Sequence, residues 1–237
     1  MEFIIEYFTL ILGDGNWKFW LEGISLTLMF VSLSLLIGGV LSIPLAIARA
    51  NRHPIFNPMV WSFTYFFRGT PLLVQTYLLY YGLPQFDFVK DSFMWPMLRE
   101  ATWCALIAFT LNTAAYTTEI FRGAIEAVPH GEIEAAKACG MSPFKRMRRI
   151  ILPSALRISL PAYSNEVIFM LHGSVILGVL PIIDIFGAAK TINSRYYVSF
   201  EGFIPCAILY MILVFGITRI FRMLEKRYHA HLRPRTS

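Results

Sequence analysis

Between Glu22 and Arg49 the chain runs for 26 residues, Gly23 to Ala48, without a charged side chain. A helix rises 1.5 Å per residue, so this run exceeds the roughly 20 residues needed to cross a hydrocarbon core of ~30 Å. Gly38, Gly39 and Pro44 do not disqualify it, because both residue types are tolerated in membrane helices. A soluble globule is excluded on this feature, and composition agrees: 56% of residues are apolar and 15% charged, against about 25% charged in soluble domains. The chain reads as a polytopic membrane protein.

Four further runs follow. From Pro54 to Phe86 only Arg68 is charged, which is too long for one crossing. Arg68-Gly69-Thr70-Pro71 supplies a break, with Thr70 expected as N-cap and Pro71 as first helical residue. A second span over 70–86 is then preceded by a membrane-associated or re-entrant helix near 58–67. Spans over 101–121, with Trp103 as interfacial aromatic, over 158–181, interrupted by Glu166, and over 202–218, closed by Arg219 and Arg222, complete the set. With 23–48 as the first, the expected fold is an all-α membrane protein of about five transmembrane helices forming a single transmembrane domain, 1–237.

Lys and Arg are retained on the cytoplasmic side, so the connections can be sorted by charge. Residues 1–22 sum to −3 (Glu2, Glu6, Asp14 and Glu22 against Lys18), 83–100 to −1 and 184–201 to zero. Residues 49–52, 122–157 and 219–237 sum to +2, +4 and +5 and hold fifteen of the 21 basic residues. The amino terminus is therefore expected outside and the carboxyl terminus in the cytoplasm. An acidic start is unlike a signal peptide, so the first span is expected to be retained. The positive balance is accounted for by this sorting and requires no nucleic acid. Cys104, Cys139 and Cys206 have neither metal-ligand nor disulfide-framework spacing.

The long cytoplasmic connection has an ordered composition. Gly131 to Cys139 reads as a short helix after Pro129, ended by Gly140 in a left-handed cap, and Ser142-Pro143 starts a second helix over 144–152 with Lys145, Arg146, Arg148 and Arg149. Ala135, Ala136 and Ala138 leave the first helix open to close approach by another protein. An amphipathic surface helix held by anionic lipid has the same composition.

The spacing Glu134-Ala135-Ala136, three residues, Gly140, nine residues, then Ile150-Ile151-Leu152-Pro153 resembles the EAA loop of bacterial ABC importer permeases. The resemblance extends over Arg68 to Gln75, Ala115 to Ile125, Val128 to Gly131 and Leu160 to Ile168, and is closest to the polar amino-acid uptake branch, M-type subunits of histidine, lysine-arginine-ornithine and opine permeases. It implies a coupling loop over about 129–153, with Glu134, Ala135, Ala136, Gly140, Ile150, Leu152 and Pro153 contacting a cytoplasmic ATPase dimer. It further implies a second, homologous membrane subunit, an external solute-binding protein and a bacterial inner-membrane location. ATP and Mg would reside on the partner ATPase; the chain has no Gly-x-x-x-x-Gly-Lys-Ser/Thr loop, and no cofactor, metal or catalytic residue is expected on it.

Within the spans, Glu166 lies nine residues, about 13 Å, beyond Arg157, where an ionisable group faces a bundle interior or a water-filled path. Asn165 adjoins it, and His172 is seven residues further along nearly the same face as Asn165. The pair Asn165 and Glu166 either contacts solute or bonds between helices or subunits. Glu119 either balances a substrate amino group or pairs with Arg122 one turn on. Gly69 and Thr70 open a helix within the membrane, which suits a carboxylate. Where many relatives carry Lys, then Asp or Asn, then Thr or Ser, this chain has His172-Gly173-Ser174, so the acidic or amide position is lost and a heteromeric pair is favoured.

Two other functional classes fit the sequence less well. A membrane hydrolase lacks a convincing nucleophile and base, since Ser174 and His172 point about 200° apart on a helix, and no His-Glu-x-x-His occurs. An ion-coupled carrier using Glu119 and Glu166 as proton sites would ordinarily show paired repeats.

Overall fold

A computed structural model describes residues 11, 13, 15–198 and 200–228. Glu2, Glu6, Asp14, Arg233 and Arg235, used above in sorting charge, lie outside the described residues. Among those described, every regular element is helical and there is no strand.

Helix α1, Asn16–Ala50, extends the apolar run by most of two turns at its start. After a short turn come α2, Phe56–Gly69, and α3, Leu72–Tyr77, which widens into a π-turn at Leu78–Gly82 and tightens to a 3₁₀ turn at Leu83–Gln85. Two single-turn helices, α4, Asp87–Lys90, and α5, Trp95–Leu98, lead to α6, Ala101–Glu126. The cytoplasmic connection expected from sequence contains α7, His130–Ala138, and α8, Pro143–Arg146. From α8 the chain continues through a π-turn, Met147–Ile151, into α9, Leu152–Gly173, and a 3₁₀ tail, Ser174–Val179. Helices α10, Ile185–Tyr196, and α11, Phe203–Tyr228, complete the fold.

The second helix of the connection does not end at Pro153 and leave a gap before a span at 158. It is continuous with α9, because Pro153 sits in the first turn after the π-turn, where a missing N–H costs least. The stretch 184–201, read as a connection, contains α10, which buries Ile185, Ala188, Ala189 and Ile192. Its cap is Asp184, whose carboxylate accepts the Gly187 N–H at 2.7 Å.

Among the described residues, three helical stretches are long and apolar enough to cross a membrane: Asn16–Ala50, Pro143–Val179 and Phe203–Tyr228. Of the other two expected crossings, α6 is long enough but carries a buried polar stripe, Thr110, Asn112, Thr113, Thr117 and Thr118, and α3 is short.

Of the three apolar clusters among the described residues, two sit towards opposite ends of the bundle. The larger joins α1, α6, α9, α10 and α11 around the fully buried Phe30, Phe109, Leu171, Leu177, Ile185 and Ile192. The smaller, Ala46, Phe121, Ala124, Ile125, Val128, Ile151 and Ala155, ties the ends of α1 and α6 to the start of α9 and anchors the entry to α7.

Candidate functional site

The break between α2 and α3 falls where the sequence put it, but its chemistry differs. Thr70 is extended and Pro71 occupies the cap position, so helical residues begin at Leu72. The Thr70 hydroxyl does not cap α3; it donates backwards to the Phe66 carbonyl at 2.9 Å, closing the end of α2. The Gln75 amide nitrogen lies 2.8 Å from the Phe67 carbonyl oxygen, 3.0 Å from that of Thr70 and 2.7 Å from the Thr70 hydroxyl. From α6, the Asn112 amide donates to the Phe67 carbonyl and to Gln75 Oε1, both at 3.2 Å. Carbonyls freed by the break are thus satisfied by side chains. Gln75 and Asn112 were not singled out from sequence, although an amide inside an apolar run is the signal that marks them.

Arg68, the charge beside the break, stacks over Tyr116 at 5.2 Å, and the Tyr116 hydroxyl donates to its carbonyl at 3.3 Å. Next to it opens a cavity of about 320 Å³ lined by Arg49, Trp61, Thr64, Tyr65, Arg68, Gly69 and Glu119. Gly69 and Glu119, separate candidates in the sequence, share this cavity; Thr70, Asn165, Glu166 and His172 do not line it.

Glu119 pairs with Arg122, as its spacing allows, at 2.7 Å. It also receives Arg49 Nε of α1 at 3.0 Å and the Thr64 hydroxyl of α2 at 3.2 Å, partners distant in sequence. Arg122 is shared with Glu126 at 2.7 Å, and Arg49 also donates to Asn57.

On α9, neighbouring candidates face different surroundings. Glu166 is buried and accepts the Thr113 hydroxyl of α6 at 2.8 Å, while Asn165 and His172 are exposed on the chain's own surface. At Gly173, an added β-carbon would lie 3.3 Å from Leu72, the first residue of α3.

The connection around α7 is built by the signals its sequence carries. Gly140 has φ of 69° and donates to the Lys137 carbonyl at 2.9 Å, while Met141 donates to that of Ala136 at 3.1 Å, the paired bonds of a Schellman ending. The Ser142 hydroxyl caps α8 by accepting the Lys145 N–H. Glu134, Ala135 and Gly140 are exposed, Ala136 is buried in the chain itself, and Ile150, Leu152 and Pro153 are half-buried. Ser154 of α9 donates to Glu132 at 3.3 Å, fastening α7 to the following span. Among the described residues no group of three or more His, Cys, Asp or Glu side chains could hold a metal ion.

The family model of binding-protein-dependent transport system inner membrane components matches residues 38–230. The chain belongs to this family of ABC importer permeases. It is 46% identical over 235 residues, 99% of its length and 98% of the relative's, to the histidine/lysine/arginine/ornithine transport system permease protein HisM of Escherichia coli K12. The octopine transport system permease protein OccM of Rhizobium radiobacter is 47% identical over 205 residues, covering 86% of this permease and 84% of OccM. Among solved structures, an amino acid ABC transporter with histidines superposes with a TM-score of 0.79 at 31% identity, covering 94% of this chain and 96% of the other. The inward-facing MetNI methionine ABC transporter shares the permease fold, with a TM-score of 0.75 at 18% identity over 91% of this chain and 98% of the other.

Proposed function

We propose that this permease subunit carries basic amino acids or opines inward, driven by an ATPase dimer docked on its cytoplasmic connection. The observation that carries the substrate class is the near full-length similarity to permeases of histidine/lysine/arginine/ornithine and octopine transport. The coupling role rests on α7: its Schellman ending and the Ser142 cap fix a short helix with Glu134, Ala135 and Gly140 outward, while Val128 and Ala136 root it in the bundle. ATP-driven closure of the partner would move α7, and α6 and α9, joined to its two ends, would move with it.

The chain crosses the membrane five times, with its amino terminus outside, and pairs with a second, related membrane subunit; a solute-binding protein delivers the cargo. Solute passes beside the α2–α3 break at Gly69 and Thr70 and along α9 past Asn165, Glu166 and His172, where Gly173 packs against Leu72 of α3. The partner subunit supplies the polar contact that Gly173 lacks. No observation favours ion coupling, since Glu119 and Glu166 are both engaged by side chains of the chain itself.

The test is uptake of radiolabelled arginine, histidine and octopine in cells lacking the chain and complemented with it. Uptake abolished by ATP depletion and indifferent to a protonophore at constant ATP is expected. Loss with the protonophore alone would overturn the reading in favour of an ion-coupled carrier.

A further inference from the structure

Helix α2 is held to the rest of the chain differently from its neighbours. The small apolar cluster at this end of the bundle draws on α1, α6 and α9 and on half-buried residues around them, but on nothing from α2. Among its own residues α2 buries only Val60 and Thr64. Its attachment is instead polar and comes mainly from one face of α6: Asn112, Tyr116 and Glu119, spaced four and three residues apart, which bond to Phe67, Arg68 and Thr64 in turn. Glu119 is the most engaged of the three. Its side chain is 11% exposed and Arg49's 14%, so the pair is shielded from solvent and salt. Through Arg49 the same carboxylate is linked to Asn57, near the start of α2.

We propose that Glu119 is a positioning residue, the clamp through which α6 carries α2, and with it the α2–α3 break, when α7 is moved. It rests on the coupling reading of α7 given above. Helix α6 ends at Glu126 and α7 begins at His130, with the buried Val128 between them, so displacement of α7 is handed directly to α6. An apolar body of α1, α6 and α9 then moves as a unit, and α2 follows only as far as its polar bonds hold. This arrangement makes Glu119 a determinant of coupling, with no contact to solute required.

The test uses the whole importer in proteoliposomes, with its ATPase, second membrane subunit and solute-binding protein, and radiolabelled arginine as cargo. Glu119→Gln removes the charge that holds Arg49 and Arg122; Thr64→Val removes the hydroxyl bond from α2 to Glu119, with that hydroxyl's contact to the Trp61 carbonyl inside α2. Both variants should consume more ATP per arginine delivered, by up to about tenfold for Glu119→Gln, the scale of one lost charge-assisted hydrogen bond. The arginine concentration giving half-maximal uptake should not move. An unchanged ATP-to-arginine ratio in both variants, or a shift in half-saturation alone, would overturn the clamp. If Glu119→Gln fails to assemble, Thr64→Val, which keeps the ion pairs, decides the matter. Absence of ATP-driven arginine uptake by the unmodified importer would instead overturn the transport reading on which the clamp rests.

Discussion

Gly38 of α1 packs directly against Thr113 of α6, and the hydroxyl of that threonine donates to Glu166 of α9. A β-carbon at Gly38 would press on the Thr113 methyl and lie 3.0 Å from the Thr110 carbonyl oxygen and 3.1 Å from the Ala114 nitrogen. The closeness of two helices therefore sets the placement of the hydroxyl that satisfies a buried carboxylate in a third. Gly38→Ala should destabilise the subunit by about 1–3 kcal/mol through overpacking against backbone. Gly39→Ala, which meets only the Tyr163 hydroxyl at 3.5 Å, should be near neutral. Thermal unfolding of the two variants in the same detergent compares them.

Glu166 has one side-chain donor, Thr113, and no cation within ion-pairing distance among the described residues. Glu166→Gln keeps an acceptor for Thr113 and removes the charge. Uptake should fall several-fold with assembly preserved, because a charge in the membrane interior is retained where a path needs it. Unchanged rate and half-saturation would leave Glu166 only its role of joining α6 to α9.

Gly140 occupies the left-handed region, with φ of 69° and no atom within 4 Å of an added β-carbon. A β-branched residue is strained there by its own backbone, at about 1–2 kcal/mol. Gly140→Val should unwind the end of α7 and reduce both ATPase retention and uptake. Gly131→Val, inside α7 in open space at ordinary φ, should be much milder. Co-purification of the ATPase with each variant reads the difference.

Asp184 lies in the connection between two spanning stretches and is fully buried. Burial pushes its carboxyl up to about 6, against the pull of the Gly187 N–H and the Tyr210 hydroxyl. With the folded pKa above the unfolded one, the folded state binds more protons, so stability falls as pH rises from about 4 to 6 and stays low above that. Asp184→Asn can still cap α10 and should flatten this decline, as unfolding measured between pH 4 and 8 would reveal.

Much of this was legible in the sequence because local chemistry decided it. Gly140, Ser142 and Pro143 each act on their own or adjacent backbone, so the α7–α8 turn followed from residue type, and the break beside Arg68 followed from Gly69 and Pro71. Thr70 does not cap α3 because a hydroxyl can serve either adjoining helix, and here Gln75, five residues on, donates to it while its own proton goes to the Phe66 carbonyl of α2. The link of Glu119 to Arg49 spans 70 residues, beyond any helical periodicity, whereas Arg122 was visible one turn away. Pro153 pointed to a helix end, and only the wider turn before it lets α8 and α9 run on as one.

The most direct test of the coupling claim places a single cysteine at the exposed Ala135, in a background with Cys139 replaced by serine, and examines the assembled importer in inverted membrane vesicles. A short bifunctional thiol reagent should join Ala135→Cys to a cysteine on the ATPase surface, with a yield that changes on adding ATP. Failure to cross-link, together with labelling of the same cysteine by an impermeant reagent added to intact spheroplasts, would contradict the claim, because it would put α7 on the outer side of the membrane.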